Sequence, residues 1–138
     1  MPGAICQDDR VPADADPTRV LELLRSYEAI LEELIQRGVS RTYDAPVGQY
    51  AEWLAEQRLD GKRAANAEKS YDLTCPDFGK VQVEARIARG HSKRGEKQLS
   101  PFRSFDFCHA LVLIFESDYT VQSATILSVE QLLAVGRR

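Results

Sequence analysis

Asp72 and Glu84 are the two residues whose spacing most directly suggests joint chemistry. Lys80 to Ile87 reads as a strand, with Val81, Val83, Ala85 and Ile87 on one face and Lys80, Gln82, Glu84 and Arg86 on the other. Ser70 to Cys75 reads as its hairpin partner, the two being joined across Pro76-Asp77-Phe78-Gly79. With a loop of Asp77-Phe78-Gly79 and a left-handed Gly79, Pro76 falls opposite Lys80 and Asp72 opposite Glu84, on the polar face. A four-residue loop would turn Asp72 toward the valines, where an ionised carboxylate is costly. Two acids across a hairpin repel each other. A hard divalent cation resolves that conflict, because Mg²⁺ takes carboxylate oxygens and keeps several waters. A solvated hairpin face with water-screened repulsion is the other reading, and the pattern alone leaves both open.

A second cluster lies just downstream. Between Arg86 and Arg103 stand six basic residues (Arg86, Arg89, Lys93, Arg94, Lys97, Arg103) against the single acid Glu96, in a chain of net charge −3. The remaining 12 basic and 20 acidic residues leave −8 elsewhere. Such a local excess suits a polyanion, although a solvated charged loop has the same composition.

These residues need elements to position them. Asp16-Pro17 opens a helix, with Asp16 as N-cap, that runs to Gly38. Its apolar positions Val20, Leu23, Leu24, Tyr27, Ile30, Leu31, Leu34 and Ile35 recur at helical spacing. That stripe is expected to pack on its own domain, with a homodimer interface as the alternative. A second helix is expected from Val47 to Arg58, with Tyr50, Trp53, Leu54 and Gln57 on one side and Glu52 and Glu56 on the flank. A short edge strand is expected within the linker 59–69. Ala110 to Phe115 is a continuous apolar run, the pattern of a strand buried on both faces. Tyr119 to Leu127 alternates as a further strand, and Ser128 caps a last helix, Val129 to Val135. Phe102 and Phe105, next to Arg103, are read as core residues below the buried strand, with stacking on bases as the alternative.

The expected fold class is therefore α+β. Residues 1–15 are expected to form a disordered tail, and residues 16–138 a single domain. Within it lie a long N-terminal helix (16–38), a core (48–127) and a C-terminal helix and tail (128–138). With 43% hydrophobic and 28% charged residues in 138, the chain has the balance of one ordinary globular domain. No apolar run approaches the roughly 18–20 residues of a membrane helix. MPGAICQDDR lacks the basic flank and apolar core of a signal peptide. Cys6, Cys75 and Cys108 share no C-x-x-C spacing, and His91 and His109 have no ligand spacing to them. Free thiols, no zinc and a cytoplasmic location are the expectations.

The order of helix with Glu52, strand with Asp72, strand with Gln82-Val83-Glu84, basic loop and buried strand resembles the PD-(D/E)xK nuclease core. More narrowly, YDLTCPDFGKVQVEAR and QLSPFRSFDFCHALVLIFESDY look like a family of small uncharacterised bacterial proteins in that superfamily, patterned as a tyrosine-aspartate strand, a glycine turn and V-Q-[VI]-K. The resemblance spans Gly48 to Tyr119. It implies a restriction-endonuclease-like mixed central sheet flanked by helices, to which the long N-terminal helix is an addition. It also implies Mg²⁺- or Mn²⁺-dependent hydrolysis of nucleic-acid phosphodiesters, DNA being favoured; the size of a lone domain, which needs help to cut two strands, points to a homodimer or a subunit of a larger complex. Asp72 matches the metal-binding aspartate, Gln82 the (D/E) position, and Glu52 the acid supplied by the first core helix. Asp72, Glu84 and the Val83 carbonyl would hold the metal. Arg89, Lys93, Arg94, Lys97 and Arg103 would contact the nucleic acid. Glu84 stands where the family has lysine, whose charge stabilises developing negative charge. Arg86, two residues on and facing the same way, is the candidate replacement. A non-catalytic module of the same fold, binding nucleic acid or protein, is the alternative.

Overall fold

The computed structural model describes residues 16–66, 68, 70–89 and 105–136. In chain order the elements are α1 (Pro17–Gln36), α2 (Val47–Leu59), β1 (Lys62–Arg63), β2 (Leu73–Cys75), β3 (Gly79–Ala88), β4 (His109–Glu116), β5 (Val121–Ser128) and α3 (Val129–Gly136). The strands form one mixed sheet in the order β1-β2-β3-β4-β5, with β3 and β4 parallel and the other neighbours antiparallel. The α+β expectation holds at this level. No described helix is long and apolar enough to cross a membrane.

The core lies between α2 and one sheet face. Alternation along β3 buries Val81, Val83 and Ala85 there, beside Leu73 and Cys75 of β2 and Leu111, Leu113 and Phe115 of β4. On the opposite face β4 also buries Ala110 and Ile114, as its unbroken apolar run requires. The helix seats differently from the expected Tyr50-Trp53-Leu54-Gln57 side. Ala51 and Ala55 are its buried residues, with Val47, Tyr50, Leu54 and Leu59 packed against the core. Small side chains at those two positions let the helix axis approach the sheet closely. Trp53 lies to the flank, stacked on Tyr50 with ring centroids 6.0 Å apart.

The turns depart from expectation in two places. Pairing of β2 with β3 begins at Cys75 and Gly79, so the hairpin loop is Pro76-Asp77-Phe78. Gly79 does adopt the left-handed conformation (φ 68°), and a Cβ there would lie 3.1 Å from Cys108 Sγ. Tyr119, expected to begin the last strand, instead sits in the β4–β5 turn at φ 69°. Its ring packs on Tyr50 and Phe115, with centroids 5.5 and 5.8 Å away, contacts that offset the unfavourable backbone. Phe105 is exposed, and Phe107 is the buried phenylalanine of that segment. Cys75 and Cys108 are free thiols.

The long helix overturns the expectation that it packs on its own domain. Leu31 is its buried residue, and Val20, Leu21, Leu23, Leu24, Tyr27 and Ile30 are all exposed. Its C-terminus is nevertheless firmly closed. Gly38 N–H donates to Ile35 O and Val39 N–H to Leu34 O, a Schellman cap with Gly38 at φ 75°. Arg63 of β1 then donates to Gly38 O (2.6 Å) and Val39 O (2.9 Å), tying that end to the sheet edge.

Candidate functional site

Asp72 lies where β2 leaves the ladder. Continuing the β2–β3 register from Leu73↔Val81 puts it opposite Gln82, not Glu84 as the sequence suggested. The loop has the expected three residues but begins one residue earlier, which moves the pairing by two residues, preserves facing and makes Glu84 a diagonal neighbour. The backbone leaves the regular register here, because Asp72 N–H donates to Val81 O at 2.9 Å rather than to Gln82. The side chain fills the gap in the ladder: Asp72 Oδ2 accepts the Val83 N–H at 2.7 Å. In a strand the N–H and C=O of one residue point to the same edge. The Val83 carbonyl therefore faces the Asp72 side as well.

Glu52 of α2 approaches from above and shares with Asp72 a pocket of about 260 Å³, also lined by Arg41, Gln49 and Tyr71. Burial pushes the Glu52 carboxyl up from 4.5 to about 7, with the charge of Asp72 adding to the rise. Arg41 and Arg63 pull the other way without cancelling it. Asp72 is likewise raised by burial, against the opposing effects of its Val83 hydrogen bond and Arg41. Glu84 is raised too, mainly by burial; Arg86 lowers it, Asp72 raises it, and a hydrogen bond with Gln82 lowers it. Asp72 thus stands between Glu52 on one side and Glu84 on the other.

The remaining predicted residues divide into two groups. Arg86 lies on the Glu84 face, with Nη1 3.9 Å from Glu84 Oε2 and donating to Ala85 O at 2.7 Å. Arg89 is exposed beside a second pocket lined by Tyr27, Arg86 and Tyr119. Lys93, Arg94, Lys97 and Arg103 lie outside the described residues, as do the tail 1–15 and Phe102.

Arg41 is the site residue that sequence reading missed. Its guanidinium is 4.0 Å from Glu52 Oε1 and donates to Ala64 O at 2.8 Å. The loop carrying it is set by Gln49, whose Oε1 accepts the Arg41 and Thr42 amide N–H groups and whose Nε2 donates to Thr42 Oγ1 at 2.8 Å. Residues 39–46 have no periodic pattern, so only the tertiary contact reveals the arginine.

No protein-family model matches this chain. No curated protein matches it either.

Among the described residues no group of three or more His, Cys, Asp or Glu side chains stands close enough to hold a metal ion. The donor set still suits Mg²⁺ or Mn²⁺, since Mg²⁺ is commonly held by one or two carboxylates completed by water. Asp72 has one oxygen fixed by Val83 N–H, which leaves Oδ1 as the outward donor. The soft nitrogen and sulfur donors that favour zinc are not part of this cluster.

Proposed function

We propose that this chain is a metal-dependent nuclease, or a degenerate relative of one, acting on nucleic-acid phosphodiesters. The supporting observation is the convergence of Glu52 and Asp72 on one pocket, with Asp72 anchored by the Val83 N–H at the end of β2, on the edge of β3 that also carries the Val83 carbonyl. Two neighbouring carboxyls that stay raised despite Arg41 form a site where added positive charge is favourable. The restriction-endonuclease-like reading of the mixed sheet rests on the order of these acids along the chain.

Asp72, Glu84 and the Val83 carbonyl would hold the cation. A bound Mg²⁺ lowers the pKa of water and polarises a phosphoryl oxygen. Glu52, titrating at about 7, is suited to accept the proton that the attacking water loses. Attack forms the new P–O bond, the P–O bond to the leaving sugar oxygen breaks, and that oxygen is protonated from solvent. Arg41 beside Glu52 and Arg86 beside Glu84 place positive charge on either side of Asp72. Arg86 then compensates in part for glutamate at the lysine position.

The second reading is a non-catalytic nucleic-acid- or protein-binding module of the same fold. Glu84 favours it, because the carboxylate brings negative charge to a position that normally stabilises an anion. Incubating the chain with single- and double-stranded DNA and RNA, with Mg²⁺ or Mn²⁺ and with EDTA, separates the two. The nuclease reading expects metal-dependent products that vanish on Asp72→Asn substitution. A degenerate nuclease expects such products only after Glu84→Lys, with a gain on the order of 10²–10³ in rate. No cleavage by either form, together with no metal binding, leaves the binding module.

A further inference from the structure

The exposed stripe on α1 is independent of the carboxylate site. Val20, Leu21, Leu23, Leu24 and Ile30 are between 44% and 58% exposed, a high toll for one amphipathic helix. Helices of this length draw most of their stability from packing an apolar face, yet beyond Leu31 and the edge of Tyr27 that borders the Tyr119 pocket this face stays exposed. The far end is not free to collapse onto the domain: Leu31 is buried, and Arg63 holds the backbone at Gly38 and Val39. The stripe is thus presented outward from a fixed base.

We propose that α1 is a homodimer interface, in which the helices of two copies pack antiparallel along Val20, Leu23, Leu24, Tyr27 and Ile30. Charge selects this occupant and this direction. With its caps included, Asp16 to Arg25 carries Arg19 and Arg25 against Asp16 and Glu22, a balance of zero, whereas Ser26 to Arg37 carries Glu28, Glu32 and Glu33 against Arg37, a balance of −2. Antiparallel pairing sets the neutral half of each helix, with Arg19 and Arg25, beside the acidic half of its partner and opposes the two helix dipoles. Parallel pairing would align the acidic halves. The exposed apolar side chains offer on the order of 500 Å² per copy, and the stems of flanking Arg and Glu side chains extend this toward the roughly 800 Å² per partner of a standard interface.

Sedimentation equilibrium of the full chain at micromolar concentration should give twice the 15.5 kDa chain mass. The double variant Leu24→Glu, Ile30→Glu should raise the dimer dissociation constant by roughly 100-fold or more. Amide-exchange protection of β3 and β4 should persist, showing that the core remains folded. Val121→Glu, at an exposed apolar residue of β5, should leave the dimer intact. A monomeric parent chain would overturn the proposal, its stripe then being met by another segment of the same chain. So would a double variant that still dimerises, or dissociation caused by Val121→Glu. Metal binding at Asp72 should be the same in monomer and dimer, so failure here leaves the nuclease reading untouched.

Discussion

Glu52 couples the candidate site to stability. It binds its proton more tightly folded than unfolded, so its contribution favours the folded state fully below about 4.5 and is lost as pH rises through about 7. Above that, an ionised Glu52 beside Asp72 is a net liability. Glu52→Gln should therefore raise stability at about pH 8, by about 1–2 kcal/mol once solvent screening is allowed for, and should flatten the decline between about pH 5 and 8. Urea titrations across that range are the measurement, and an unchanged slope would remove Glu52 from the buried pair. Asp72 has a structural duty as well. Asp72→Asn keeps an oxygen for the Val83 N–H and should fold normally, whereas Asp72→Ala orphans that donor and should cost about 1–3 kcal/mol. Equal stability of the two variants would show that the hydrogen bond contributes nothing.

Between elements, the critical connection is Arg63. One side chain bonds two carbonyls at the end of α1 and lies 3.6 Å from Glu56 of α2, while its own N–H donates to Glu56 Oε2 at 3.0 Å. Arg63→Ala should destabilise by about 1–3 kcal/mol and loosen α1 selectively, read as faster amide exchange at residues 31–40 with β3 and β4 protected. Arg63→Lys should not rescue it, because an ammonium lacks the planar fork that spans both carbonyls. Such long-range ties also mark how far a sequence pattern can reach. Period-two alternation announced β3, and an unbroken apolar run announced β4, because each pattern follows directly from which faces are buried. The hairpin register was misjudged by two residues, since Pro76 and Gly79 allow more than one loop and parity alone does not choose between them. The buried face of α2 was legible only in part, through Tyr50 and Leu54, because Ala51 and Ala55 at its centre carry little hydrophobic signal; their value lies in being small. The α1 stripe revealed that a face must be buried but not against what. Arg41 and Arg63 act across more than twenty residues of sequence, through backbone carbonyls that no side-chain pattern can foretell.

For the molecule as a whole, the proposed nucleic-acid binding is separable from the proposed cleavage, because the basic stretch 86–103 and the carboxylates Glu52 and Asp72 are different residues. Lys93→Ala with Arg94→Ala should weaken binding and lower the salt slope by roughly one counterion for each phosphate no longer neutralised, even in a protein that does not cut. Binding unchanged in both respects would make the basic stretch merely solvated charge. The central claim, a divalent cation held at Asp72, also has a global readout, because a ligand that binds the folded state raises its stability by mass action. Isothermal titration of Mn²⁺ into the chain near pH 7, repeated in buffers of different ionisation enthalpy, tests it most directly. The account predicts one site saturating in the micromolar to millimolar range, release of a fraction of a proton as Glu52 ionises, and loss of both signals in Asp72→Asn. Heat that is absent at millimolar Mn²⁺, or a binding isotherm that Asp72→Asn leaves unchanged, would contradict it.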